Sequence, residues 1–88
     1  MPGITRVGID SAGGVIRGPG ASLLTINGAP ASLVGDEVTG HGSGSHASAV
    51  MVQGSAILTV NGVAVVLAGM RASCNDVATG DPKHTCFA

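Results

Sequence analysis

The sequence predicts a small all-β fold with pseudo-threefold symmetry, made of three hairpin-like units and without significant helix. Three observations lead to this fold class: a repeat with an offset of 34 residues, an Asn-Gly pair inside each complete copy, and a third copy divided between the two chain ends. A fixed repeat period is typical of architectures assembled from one supersecondary unit. We therefore expect a single domain over residues 1–88.

The two complete copies are residues 20–36, GASLLTINGAPASLVGD, and residues 54–70, GSAILTVNGVAVVLAGM. Seven of their 17 aligned positions are identical, and most of the others exchange similar residues. In each copy an aliphatic and β-branched run leads into Asn-Gly, and a second run ends at a glycine. Because Asn-Gly favours a two-residue type I′ turn, each copy is predicted to be a β-hairpin, with turns at Asn27-Gly28 and Asn61-Gly62.

The third unit is predicted from both ends of the chain. The segment ITRVGID at 4–10 is similar to a return strand with its closing glycine, and TGDPKHTCF at 79–87 is similar to an outgoing strand. Three predicted loops, near 10–19, 36–53 and 70–79, connect the units. Because the strands alternate between loops at one end and turns or termini at the other, we expect all three loops to gather at one end.

The composition limits the classes of function. Only four Lys and Arg residues, a net charge of −1 and one aromatic residue argue against a nucleic-acid partner. The adjacent Asp36 and Glu37 are predicted to face solvent, as are Arg17, Arg71 and Lys83. The N-terminus has no apolar signal-peptide region, and no apolar run approaches the roughly 20 residues that span a bilayer. We therefore expect synthesis in a reducing cytoplasm without a signal peptide.

Histidine and cysteine residues suggest a metal site at the loop end. The segment GHGSGSHAS at 40–48 places His41 and His46 among glycine and serine residues, which cannot pack around them. His41 is six residues past the closing glycine of its repeat, and Cys74 is five past the equivalent glycine, so we expect both at the same end. His84, on the last strand, aligns with Leu58 and is predicted to face inward.

Three histidines and one cysteine complete a tetrahedral zinc site. The predicted ligands are His41, His46, Cys74 and His84. Cys86 is the alternative thiol, and Asp76 is an alternative oxygen ligand.

Two other classes of function compete with a structural one. Cys74 with His41 or His46 could form a nucleophile–base pair, or zinc with an open position could activate water in a hydrolase. No glutamate accompanies the histidines as a general base, and the chain is short for a cleft. We therefore predict no catalysis and no small-molecule substrate. A small zinc-binding interaction module is the other alternative.

The motifs of this chain resemble those of the PAAR-repeat family over nearly its whole length. The resemblance lies in RVGID at 6–10, INGAPASLVGD at 26–36, HG at 41–42 and GSAILTVNG at 54–62. The sequence departs from the family motif Pro-Ala-Ala-Arg, since it has PASL at 30–33 and AVVL at 64–67. The motif arginine remains as Arg6 in the N-terminal copy, and Met70 stands where the family usually has aspartate.

The resemblance implies a conical, pyramidal β-structure whose point holds a metal ion, zinc or alternatively iron, bound by three histidines and one cysteine. It implies a structural protein that sharpens the tip of the membrane-piercing spike of contractile phage tails and type VI secretion systems. The base of the cone would sit on a trimeric β-helical spike protein, one cap per trimer, and the target membrane would be pierced transiently. The protein would act at the tip of a virion tail or of an injected spike. We expect no fused effector extension, which favours a phage tail.

Overall fold

A computed structural model of the chain describes residues 2–21, 23–26, 28–40, 42, 44 and 47–85, with the side chain of Pro82 excepted. The strands are β1 (Gly3–Ile4), β2 (Ser11–Ala12), β3 (Gly14–Gly18), β4 (Thr25–Ile26), β5 (Ala29–Pro30), β6 (Glu37–Val38), β7 (Thr59–Val60), β8 (Val63–Ala64) and β9 (Asp81–Thr85). These described residues contain no α-helix, and none of them forms a helix able to cross a membrane. The predicted all-β class is confirmed.

Both complete repeats form hairpins with the same register. Strands β4 and β5 pair Thr25 with Pro30, and β7 and β8 pair Thr59 with Ala64. Asn61 and Gly62 have φ angles of 51° and 80°, the left-handed conformations that a type I′ turn requires. Asn27, in the other predicted turn, lies outside the described residues.

The third unit is assembled from both chain ends, as the sequence predicts. Strand β1 pairs antiparallel with β9, Gly3 opposite Thr85 and Ile4 opposite Asp81, with a bulge between the two pairs. The backbones approach closely, because a Cβ atom on Gly3 would lie inside the space of the Asp81 carbonyl. A glycine is therefore required where the two ends meet.

The three units surround a closed cycle of hydrogen bonds. The Thr5 amide donates to the Val66 carbonyl (3.0 Å), Val66 donates to Ser32 (2.8 Å), and Ser32 donates to Thr5 (2.8 Å). All three residues are fully buried, and they occupy the same position in the three repeats. A second cycle joins each unit to the next: Val7 to Pro30, Val34 to Ala64, and Ala68 to Gly3. The pseudo-threefold symmetry is therefore a property of the backbone hydrogen bonds as well as of the sequence.

The segments predicted as loops contain paired backbone of their own. Strand β3 pairs with β2 and with β6. The amide of each closing glycine donates to a backbone carbonyl in the loop that follows it. These three bonds run from Gly8 to Ile16, Gly35 to Met51 and Gly69 to Ala78. We call residues 10–19, 36–53 and 70–79 the loop layer, and β1, β4, β5, β7, β8 and β9 the hairpin layer.

Each layer has its own small apolar core. Because successive side chains of an extended segment point to opposite faces, Val65 and Leu67 pack in the hairpin layer while Val66 packs in the loop layer. The loop-layer core consists of Ala12, Ile16, Val38, Ala49, Met51, Val66, Ala72, Cys74 and Ala78. The hairpin-layer core consists of Ile4, Ala21, Ile26, Ala31, Val65 and Leu67.

Candidate metal centre and the seam of the third unit

The second and third loops lie side by side in the loop layer. Met51 and Ala72 form a β-bridge between the two, and the Ser73 amide donates to the Val50 carbonyl (2.7 Å). The Val50 amide in turn donates to the Ser73 hydroxyl (3.1 Å). The returning end of the loop that carries His41 and His46 therefore lies beside the loop that carries Cys74.

Cys74 and Asp76 form a pair of candidate ligand side chains in the third loop. This turn is closed by the Ala72 amide, which donates to the Asp76 carbonyl (2.9 Å), and Asn75 within it has a φ of 75°. Cys74 is only 7% exposed, and its Sγ donates to Asp76 Oδ2 at 3.5 Å. Thiolate and carboxylate are both zinc ligands, so the chemistry of this pair fits a metal ion.

The remaining predicted ligands are placed differently. His41, His46 and the alternative thiol Cys86 lie outside the described residues. His84 is in the hairpin layer on β9, where its Nδ1 lies 2.9 Å from Asp81 Oδ2 and its side chain is 43% exposed. It is therefore half exposed rather than turned into the core. Among the residues that the structure describes, no three His, Cys, Asp or Glu side chains are grouped as metal ligands.

A cleft of about 370 Å³ lies at the foot of the second loop, although the sequence predicts a domain too small for one. Its walls include Arg17, Glu37 and the returning segment 47–50. Its described walls contain a cation and a carboxylate but no cysteine or histidine.

The prediction that Asp36 faces solvent is wrong, whereas Glu37 is exposed as predicted. Asp36 is 4% exposed, and its carboxylate accepts hydrogen bonds from the Ser32 hydroxyl (3.0 Å) and from two backbone amides, Leu33 (2.9 Å) and Gly20 (3.2 Å). The reason is the tight turn from Leu33 to Asp36, closed by the Asp36 amide that donates to the Leu33 carbonyl (3.0 Å), because this turn brings the side chain back over its own segment.

At the equivalent turn of the other two units, a different side chain contacts the backbone amide that corresponds to that of Leu33. In the third unit, Asp10 accepts from the Arg6 amide (2.8 Å). In the second unit, the sulfur of Met70 lies 3.4 Å from the Leu67 amide. Arg6, Leu33 and Leu67 are threefold equivalents, so one backbone amide is capped by a side chain in all three units. Met70 therefore replaces the family aspartate in position, with a weaker acceptor.

A polar cluster, which we call the seam cluster, joins the two chain ends. Its members are Arg6, Asp10, Thr79 and Asp81. Arg6 Nε lies 2.7 Å from Asp10 Oδ2, and Arg6 Nη1 lies 3.5 Å from Asp81 Oδ2. The Thr79 hydroxyl donates to Asp10 Oδ1 (2.8 Å), while the Thr79 carbonyl accepts from the Thr5 hydroxyl (2.6 Å). Sequence reasoning missed this cluster, although Arg6 as the one remaining motif arginine was a signal for it.

The ion pairs of the seam cluster shift the acidity of its members. Burial alone would raise the pKa of the Asp10 carboxyl, but hydrogen bonds from Arg6 and Thr79 outweigh it and hold that pKa below its usual value. The Lys83 amide and the His84 ring lower the pKa of Asp81. The hydrogen bond to Asp10 raises the pKa of Arg6, so the cluster remains ionised near neutral pH.

The fold and the cluster define a small single-chain all-β protein with an internal threefold repeat, closed through its own chain ends. The sequence model of the PAAR motif matches residues 9–85, and the chain therefore belongs to the PAAR-motif family. This is a family of structural spike-tip proteins of contractile injection systems. Comparison with curated protein sequences finds no match.

Proposed function

We propose that this chain caps the blunt end of a trimeric β-helical spike, one chain per trimer, and helps the spike to pierce the envelope of a target cell. The observation that carries this proposal is the closed cycle of hydrogen bonds among Thr5, Ser32 and Val66. A chain with three quasi-equivalent faces can make a similar contact with each of three identical subunits. Docking would also cover strand edges that would otherwise be exposed.

The hairpin layer is the proposed docking end. Leu23 and Ile57 are equivalent residues, each two positions before the first strand of its hairpin (β4 or β7), and they are 73% and 63% exposed. Lys83 is the third equivalent residue, and its aliphatic stem can pack as a leucine does while the ammonium remains in water. Large exposed apolar side chains in a repeated pattern support contact with a partner that has the same symmetry.

The first experiment measures stoichiometry. The purified chain is mixed with its cognate trimeric spike, and the mass of the complex is determined by light scattering and native mass spectrometry. We expect one cap per trimer. Three caps per trimer, or no complex at micromolar concentrations, would reject the capping function.

The second experiment locates the docking end. Leu23→Asp and Ile57→Asp should each weaken spike binding by about 10- to 150-fold, because burying one large aliphatic side chain contributes roughly 1.5–3 kcal/mol. Val52→Asp is the matched control, because Val52 is similarly exposed but belongs to the loop layer. Equal losses in all three variants, with the fold intact, would contradict docking through the hairpin layer.

We also propose that the loop layer holds one metal ion, zinc or alternatively iron, with His41, His46 and Cys74 among its ligands. The contact between the Cys74 thiol and the Asp76 carboxylate supports this location and favours Asp76 as the fourth ligand over His84. When bound, the metal would cross-link loops that are too rich in glycine to form a larger core.

Elemental analysis of protein purified without added metal tests this proposal. We expect one zinc or iron per chain and a lower melting temperature after chelation. Comparing the metal content of Asp76→Ala and His84→Ala identifies the fourth ligand, because only the variant that lacks this ligand should lose metal. Comparing Cys74→Ser with Cys86→Ser identifies the thiol ligand in the same way. Absence of stoichiometric metal from the parent protein would reject the site.

We propose that the host machine is either a phage tail or a type VI secretion system. In both, the chain would act at the tip of the spike, as part of a virion or carried into the target cell. Neighbouring genes for a tail tube, sheath and baseplate provide the test. A gene cluster that encodes membrane components of a secretion system would assign the chain to type VI secretion.

A further inference from the structure

The third unit lacks the connection that holds the other two hairpins together. Strands β4 and β5, and likewise β7 and β8, are joined by two-residue turns, so neither strand can leave without unfolding its partner. Strand β9 pairs with β1 across a bulge, and no turn within the unit links them. Strand β9 therefore depends on non-covalent contacts within its own unit.

One apolar contact that the other two units make has no counterpart among the described side chains of β9. Leu24 and Leu58, directly before β4 and β7, pack against the hairpin-layer core. The equivalent residue on β9 is His84, which is half exposed and contacts Asp81 instead. At this position β9 therefore makes a polar contact where the other two units make an apolar one.

Asp81 is the buried side chain through which β9 is held. It is equivalent to Ser55, and both side chains accept a hydrogen bond from the amide two residues ahead, Lys83 (2.8 Å) or Ile57 (3.1 Å). Asp81 has an additional partner, because Arg6 Nη1 lies 3.5 Å from its carboxylate. In the other two units the position of Arg6 is leucine.

We propose that β9 is a releasable strap: the ring opens locally at the third unit, and the ion pair between Arg6 and Asp81 sets how often it does so. The rest of the ring does not depend on β9. The Thr5 amide bonds to Val66, and the Gly3 carbonyl accepts from Ala68, so the N-terminal segment stays attached to the second unit when β9 leaves. Release of β9 exposes the edge of β1.

Amide hydrogen exchange on the full, metal-loaded chain tests the strap. We expect the amides of β9 to exchange at least about tenfold faster than those of residues 55–60, the equivalent segment of the second unit, with the buried amides of Thr5 and Val66 as the slow reference. Raising the salt concentration from about 0.05 to 1 M should speed exchange in β9 selectively, because it screens the ion pair. Uniform protection of both strands at both salt concentrations would overturn the proposal.

Arg6→Leu tests the role of the arginine, since leucine is the natural residue at the two equivalent positions. It should speed exchange in β9 by a further tenfold or more, the effect of losing a charge-assisted contact, and abolish the salt dependence there. Arg17→Leu removes an exposed arginine outside the seam cluster and should change neither. If Arg6→Leu speeds amide exchange equally in all three units, Arg6 stabilises the whole ring and the strap is rejected. The strap is also rejected if Arg6→Leu does not fold and exchange in β9 of the parent protein does not depend on salt.

Discussion

Removing the Asp36 carboxylate should destabilise the first unit severely. This side chain accepts three hydrogen bonds, from the Gly20 and Leu33 amides and from the Ser32 hydroxyl, at 2.9–3.2 Å, and it is almost fully buried. A hydrogen bond to a charged group contributes about 1.5–3 kcal/mol, and a buried donor left without a partner costs about 1–3 kcal/mol. Because the three bonds share one acceptor and do not add fully, we expect Asp36→Ala to lose about 3–5 kcal/mol of unfolding free energy.

Urea unfolding followed by circular dichroism measures this loss in the protein as purified. Asp36→Asn keeps one acceptor oxygen and should lose less than Asp36→Ala. Glu37→Ala is the matched control: it removes the adjacent but exposed carboxylate and should change the unfolding free energy by less than about 0.5 kcal/mol. A loss of under about 1 kcal/mol in Asp36→Ala would refute the assignment of Asp36 as the organising acceptor of this corner.

Three further predictions concern packing and acidity. Gly54→Ala should lose about 1–3 kcal/mol in urea unfolding, because its Cβ would lie 2.6 Å from the Ala64 Cβ and 2.7 Å from a Val34 methyl; wild-type stability would contradict this close approach. Met51→Ala should lose about 2–5 kcal/mol by the same assay, since this side chain fills the loop-layer core, and a loss below 1 kcal/mol would show that the core is loose. The folded pKa of Asp10 lies below its unfolded value, so its stabilisation is present above the unfolded pKa and is lost as pH falls through the folded one. The unfolding free energy should therefore decrease more between pH 7 and pH 3 in the parent protein than in Asp10→Asn. An equal decrease in both proteins would exclude Asp10 as a source of acid sensitivity.

The hairpins could be predicted because their determinants are local. The alternation of aliphatic residues and the Asn-Gly turns act over a few residues, and both repeats form a hairpin of the same register. The third unit followed from comparing the chain ends with that repeat, and the pairing of β1 with β9 confirms it. Fold class, register and the composite third unit were therefore accessible from the sequence.

The candidate site was only partly accessible. The sequence indicated that Cys74 and the histidine-bearing loop share one end, and the paired backbone between Val50 and Ser73 agrees with that location. It did not reveal the contact between Cys74 and Asp76, because a side-chain direction within a three-residue turn depends on how the turn packs. The assignment of His41 and His46 as ligands stays a prediction.

Only the tertiary structure decided which polar groups are buried. Asp36 and Glu37 are neighbours with the same charge, yet Asp36 is buried and accepts three hydrogen bonds while Glu37 faces solvent, because Asp36 ends the turn from Leu33 and Glu37 begins β6. Arg6 and Asp81 meet because ring closure brings the chain ends together, and no local pattern encodes a contact across almost the whole sequence. The sequence by itself determined the repeated unit. Ring closure determined the cycle around Thr5, Ser32 and Val66 and the seam cluster, since both consist of contacts between units.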